Sequence, residues 1–558
     1  MAYDLKITGG TIVDGTRAPR YVGDVGIKDG KVVALGSAPA DAIRTIDAVG
    51  RVVCPGFVDI HTHYDAQIIW DQLISCSPWH GVTTVVIGNC GFSVAPTRPI
   101  HRDLIMRTLE NVEGMSVDAL RAGLGSEWPF ETFPEYLDVV EQRGCAVNVA
   151  ALIGHTALRM YVMGEESVER EATPEEVTAQ RDILREALAA GALGFATSKA
   201  ITHVGYDGKP VPSRIASTAE ICSIAEVLGE VPNAMMQATV GRGLSHREFA
   251  QIAEATGRTV SWTALLSGQP RQDYREELRK AAEIQARGLR VFPQVAVQPV
   301  QFEMSWRAPF IYEALSCFNP VSAADTDGRK AIYADSEWRE RFKLKAGKGG
   351  IIFDRWARTT VSWYPTDPSV EGRNVQQLAD DLGRDPVDLM MDMALDADLD
   401  MRITQDVLNH DANDIEVLLS DPNTVIGLSD AGAHASQLCD AKYSTEFLST
   451  FVRGRGSFTL EEGIHMLTQR PADVFGITDR GTLAVGKPAD VVVFDAADIG
   501  HHGKRRVYDL PGGADRIVSD AKGIHAVVVN GTIIRQDGVD QVAHGGKLPG
   551  ALLRNGHA

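Results

Sequence analysis

The sequence predicts an α/β protein: a (β/α)8 TIM-like barrel with a small β-sandwich domain formed from both chain termini. Three observations carry this. Short apolar runs alternate with helical patterns through the long middle of the chain. Both ends are made instead of short strands and glycine turns. And His61-Thr62-His63 closes the first apolar run of the middle, at the kind of strand end where a barrel keeps its active site.

Taken in order, residues 1–54 read as strands around Gly9-Gly10 and a hairpin with an Asp29-Gly30 turn. Val52–Ile60 reads as the first barrel strand. The others are Val82–Gly88, Ala146–Ile153, Leu193–Thr197, Ala234–Thr239, Thr259–Leu265, Leu289–Val297 and Val425–Leu428, which makes eight. Helical periodicity lies between them, as in Thr173–Ala190, Ser217–Leu228, Ser245–Ala255 and Gln272–Ala286. Residues 481–558 return to strands and hairpins. Neither end alone has many strands to cover an apolar face, so the two are expected to complete one sandwich, 1–54 with 481–558, around a barrel of 55–480. An insertion at about 300–423 is long for one connection and carries Trp306, Phe310, Trp338, Trp356, Trp363 and Tyr364. Such insertions serve as lids or binding loops, and their aromatics either line a substrate pocket or fill a core of their own.

The strand ends supply the candidate chemistry. Residues two apart on a strand face the same way, so His61 and His63 offer paired imidazoles to zinc or a similar metal. Cys90 follows the second strand among glycines and is either a further thiolate ligand or a structural thiol. Asp430 follows the last strand and suits a metal ligand that also acts as general base; capping a turn is its plainer alternative. His155, at the end of the third strand, suits carbonyl polarisation or a structural hydrogen bond. Lys199 and His203 lie beyond the fourth strand and are auxiliary or substrate-binding candidates beside ordinary loop roles.

Composition bounds the partners. The 558 residues are 44% apolar and 23% charged, the balance of a globular enzyme, with a net charge of -19. That charge argues against nucleic acid and against an anionic membrane, and leaves a small molecule as the expected partner. A homo-oligomer is compatible with it. Seven scattered cysteines without a CxxC pair, and the lack of a signal-peptide pattern, predict a cytoplasmic protein.

Six segments in order along the chain carry a resemblance: PGFVDIHTHYD at 55–65, GVTTVVIGNCG at 81–91, GHTALR at 154–159, GALGFATS at 191–198, GLSDAG at 427–432 and RGTLAVGKPADV at 480–491. With these the chain resembles the amidohydrolase superfamily, in its D-aminoacylase (N-acyl-D-amino-acid deacylase) branch. The resemblance implies a metal-dependent barrel that hydrolyses the C–N bond of an N-acyl amino acid. It assigns His61, His63, Cys90 and Asp430 as metal ligands, with Asp430 as general base and then acid toward a metal-activated water. The branch also carries metal-binding histidines at the ends of strands five and six. This chain departs there, reading AMMQATV at 234–240 and TVSWTA at 259–264. One zinc per chain is therefore expected, a second requiring a substitute ligand such as a carboxylated Lys199. Hydrolysis of another linear or cyclic amide, or a binding protein without catalysis, are the alternatives.

Overall fold

The computed structural model describes residues 2–269, 272–346 and 356–558. The chain divides into two compact units. The larger holds residues 1–265, 275–297 and 416–558.

Its centre is an all-parallel sheet of eight strands in sequence order: β1 (Phe57–Asp59), β2 (Val82–Ile87), β3 (Asn148–Gly154), β4 (Gly194–Ser198), β5 (Met235–Thr239), β6 (Thr259–Thr263), β7 (Val291–Val295) and β8 (Val425–Ile426). The sheet closes into a barrel just past the strand ends. Thr62 bridges Ala431 in parallel, and the His63 N–H donates to Ala431 O at 2.7 Å. Helices occupy the crossovers where the periodicity places them; Pro174–Ala189, for example, starts at a capping box of Thr173 and Glu176. Val58, Val86, Ala150, Leu152, Phe292 and Val425 contribute to a buried apolar cluster that also takes Leu553 from the C-terminal tail.

A second sheet joins the two ends of the chain. Val52–Pro55 pairs in parallel with Tyr3–Ile12 and antiparallel with Val491–Phe494, which continues to Ile524–Val529. Leu5, Ile7, Val25, Val53, Val491, Val493 and Val528 bury one face of it. The single strand expected over Val52–Ile60 is thus two strands in different sheets. The chain crosses at Gly56, where a Cβ would stand 2.0 Å from Thr83 Oγ1, so only glycine fits.

The smaller unit holds Leu266–Tyr274 and Gln298–Ile415. It has an antiparallel sheet with Arg402–Leu408 between Val300–Ser305 and Thr359–Trp363, and a core of its own. Trp306, Trp338 and Trp356 belong to that core; Trp306 is 1% exposed and stacks on Tyr312 at 5.3 Å. These aromatics fill the unit rather than line a pocket. Tyr364 is buried too, its hydroxyl on Asp396 at 2.7 Å, and the partly exposed Trp363 lies under the Arg402 guanidinium. The Phe310 side chain lies outside the described residues. Among the described residues no helix is long and apolar enough to cross a membrane.

Candidate metal centre

His61 and His63 lie just beyond the paired residues of β1. Thr62 between them is buried, and both its N–H and its hydroxyl donate to Val86 O of β2, at 3.2 and 2.8 Å. Pinning the middle residue leaves both imidazoles on the inner side, with ring centroids 5.3 Å apart. Asp430, brought round by the seam with β8, sets Oδ1 3.3 Å from His61 Nε2 and 3.8 Å from His63 Nε2. Cys90 Sγ is 3.4 Å from His61 Nε2. The donor atoms of His61, His63 and Cys90 all lie within 4.8 Å of one another, and all three residues are buried.

Each imidazole is held from behind. Gln294 on β7 sets its carbonyl oxygen 2.7 Å from His61 Nδ1, while its amide donates to Ser261 Oγ at 3.0 Å. Glu113 Oε1 sits 3.0 Å from His63 Nδ1. The Gln294 oxygen favours a proton on His61 Nδ1, and Glu113 pairs with His63 from the Nδ1 side, so that both Nε2 atoms lie toward Asp430. Cys90 and Asp430 are non-glycine residues in the left-handed backbone region, at φ of 57° and 44°. Such conformations persist where the surroundings enforce them. At Cys90 the restraint is its N–H bonded to Gln237 Oε1 of β5 at 2.7 Å.

The electrostatics suit a cation. Burial, with the neighbouring His63, holds His61 well below its ordinary pKa and so in the neutral, ligating form. Burial acts the same way on His63, but the Glu113 carboxylate overrides it and raises that ring well above the usual range. Burial pushes Asp430 up to about 6. It also lifts Asp59, which accepts the His61 N–H, to about 7. Two imidazole nitrogens, a thiol and a carboxylate are a zinc-type donor set. Donors about 3.3–3.8 Å apart suit zinc bonds of about 2.0–2.3 Å, and His61 Nε2 stands at 3.4 Å from Cys90 Sγ and 3.3 Å from Asp430 Oδ1. The residues present fit such an ion.

The auxiliary candidates separate. His155 joins a buried network, with Nδ1 on Thr197 Oγ1 at 2.8 Å and Nε2 3.5 Å from Glu220 Oε1. Arg159 and Gln180 bind the same carboxylate, and despite burial the contacts with His155 and Arg159 hold Glu220 at about 2. Lys199 donates to the carbonyls of Arg214 and Ala216, each at 2.6 Å. His203 lies nearer the centre: its ring is 5.0 Å from Phe92, whose ring is 6.4 Å from that of His63. Its Nδ1 meets Ser198 Oγ at 2.6 Å, and burial pushes its pKa down to about 3. Sequence reasoning missed Glu113, Gln237 and Gln294. The two glutamines carried one signal, a polar residue inside an apolar strand; Glu113, at a helix end, carried none.

A barrel whose mouth gathers these donors defines a metal-dependent hydrolase. The sequence profile of the amidohydrolase family matches residues 44–341 and 353–535. This chain belongs to that family, and it is a hydrolase of carbon–nitrogen bonds. It is 27% identical to a D-aminoacylase of Alcaligenes xylosoxydans xylosoxydans over 551 residues, covering 98% of this chain and 97% of that one. A solved D-aminoacylase, whose binuclear centre is described by one-metal activation and second-metal attenuation, aligns with a TM-score of 0.67 at 26% identity, over 99% of this chain and 100% of that chain. The N-acyl-D-glutamate deacylase of Bordetella bronchiseptica, solved with zinc and a phosphonate mimic of the tetrahedral intermediate, aligns with the same score, identity and coverage.

Proposed function

We propose that this chain is a one-zinc deacylase that cleaves the amide bond of an N-acyl amino acid in the manner of the D-aminoacylases. The observation that carries this is the buried group of His61, His63 and Cys90, with Asp430 Oδ1 3.3 Å from His61 Nε2 and 3.8 Å from His63 Nε2. Full-length similarity to a D-aminoacylase and to an N-acyl-D-glutamate deacylase supports the substrate class. The donor set supports zinc.

The far side of the mouth supports the count of one. In register there, β5 offers Gln237 and Thr239 while β6 offers Ser261 and Thr263. Neutral amides and hydroxyls are poor substitutes for imidazoles as zinc ligands.

When bound, the ion would supply Lewis-acid activation of the amide carbonyl and of the attacking water. Asp430 does the proton work. Its side chain is 32% exposed, against 0% for His61 and 6% for His63, so it is the most accessible of the three. As a carboxylate it takes the proton of the attacking water, then delivers it to the amide nitrogen as the C–N bond breaks, releasing acid and amine. His61 and His63 stay on the centre, tethered through Gln294 and Glu113. His203 is the auxiliary candidate best placed to bind the acyl or carboxylate end.

The test is elemental analysis of the dialysed protein alongside a panel of N-acyl-D-amino acids, N-acyl-L-amino acids and cyclic amides. One zinc per chain with turnover of the N-acyl amino acids is expected. Turnover confined to cyclic amides would overturn the substrate class. A metal-free, inactive protein unresponsive to added zinc would overturn the reading as a whole.

A further inference from the structure

Glu113 stands where local rules disfavour it. It is the last residue of the helix Arg102–Glu113, so its negative charge adds to the negative end of the helix dipole. Its side chain is only 7% exposed. Apart from the contact with His63, neither carboxylate oxygen has a hydrogen-bond partner among the described residues. A buried carboxylate without compensation is costly, so a residue so placed needs a reason outside the helix.

Its setting is also rigid. The helix ends at Gly114 in the left-handed conformation, φ 62°, where a Cβ would stand 3.2 Å from the His434 Cα. The Glu113 carbonyl accepts the Ala435 N–H at 3.2 Å, and the Gly114 carbonyl accepts the Ser436 hydroxyl at 3.2 Å. The loop so gripped is the one that carries Asp430. Glu113 thus links the first-strand ligand His63 to the last-strand loop, and 3.0 Å separates its Oε1 from Nδ1 of His63.

From this we propose that Glu113 is a positioning residue of the metal centre: it fixes the ring of His63 with Nε2 inward. This rests on the metal reading above. The two histidines differ in what lies behind them. His61 has a neutral amide and His63 a full carboxylate. A carboxylate behind a ligating imidazole orients the ring, and losing such a partner typically costs about 10–100-fold in metal affinity.

The experiment measures zinc affinity of the apoprotein by competition with a chromophoric chelator, for wild type, Glu113→Gln, Glu113→Ala and Ile105→Ala. Ile105 is buried on the same helix and reports simple loosening of that helix. Glu113→Ala is expected to weaken zinc binding about 10–100-fold. Glu113→Gln keeps the shape and an acceptor for Nδ1–H and is expected to fall between the two; it also carries the test should Glu113→Ala fail to fold. Ile105→Ala is expected to bind like wild type. The visible bands of the cobalt(II)-substituted protein should shift in Glu113→Gln and stay put in Ile105→Ala. Wild-type affinity in both Glu113 variants, or an equal loss in Ile105→Ala, would overturn the assignment of Glu113. Failure of wild type itself to bind zinc would instead overturn the metal reading.

Discussion

The two sides of the barrel mouth differ in chemistry more than in geometry. On one side, β1, β2 and β8 lead into His61, His63, Cys90 and Asp430, all ionisable, with His61 within 3.4 Å of both Cys90 and Asp430. On the other, β5 and β6 present Gln237, Thr239, Ser261 and Thr263, paired residue for residue by the parallel register. These neutral groups are knitted together and to the first side. Thr263 Oγ1 donates to Thr239 Oγ1 at 3.2 Å, Gln237 accepts the Cys90 N–H, and Ser261 accepts from the amide of Gln294 that backs His61. On the proposed metal reading, the same inward positions serve as ligands on one side and as a hydrogen-bonded frame for those ligands on the other. What a strand end does is decided by its side-chain chemistry; the barrel supplies equivalent places to both.

That contrast can be broken or sharpened by substitution. The largest effect is expected at His61. His61→Ala removes the donor nearest to both Cys90 and Asp430, and metal and turnover should vanish together when assayed by elemental analysis and initial rates. A variant that kept both would place the metal elsewhere. Next, Asp430→Asn should cost about 10²-fold or more in kcat while most of the metal stays bound, since the amide oxygen can still face the ion but cannot carry the proton. Near-normal turnover with metal bound would move the base elsewhere, with His203 the first place to look.

The pH profile tests the same group without substitution. Burial raises Asp430 to about 6, and only its ionised form is a base. The rate should therefore fall as pH drops through about 6, and that limb should be missing from the residual activity of Asp430→Asn. A limb common to both would belong to another group. The smallest effect is expected across the mouth. Gln237→Ala strips the acceptor from a buried N–H and should cost about 1–3 kcal/mol of stability in a denaturant titration. Metal content should stay at one per chain. Loss of the metal in Gln237→Ala, or two dialysis-resistant metals in the wild type, would erase the distinction between the two sides.

Much of this was legible in the residues because it is local. The β-branched runs gave the strand positions to within a few residues. The two-residue spacing of His61 and His63 implies a shared side, and Asp430 after a short apolar run implies a strand-end carboxylate. The uncertain points were those that local pattern cannot hold. Val52–Ile60 is one unbroken apolar run by composition, yet it serves two sheets, because the turn at Gly56 is set by the approach of Thr83 from another strand. The aromatic content of the insertion was equally consistent with a pocket or a core, until Trp306 was seen stacked on Tyr312 among its own neighbours.

The sequence by itself determined which chemical groups are available and the order in which strands deliver them, since periodicity and turn residues act over a few positions. Only the tertiary structure decided which groups meet. Barrel closure through Thr62 and Ala431 brings residues some 370 positions apart within bonding distance of one another. The end of one crossover helix places Glu113 behind His63, and β7 places Gln294 behind His61. Those meetings depend on the path of the whole chain around the barrel, which is a property of packing and closure and leaves no mark on the local pattern of residues.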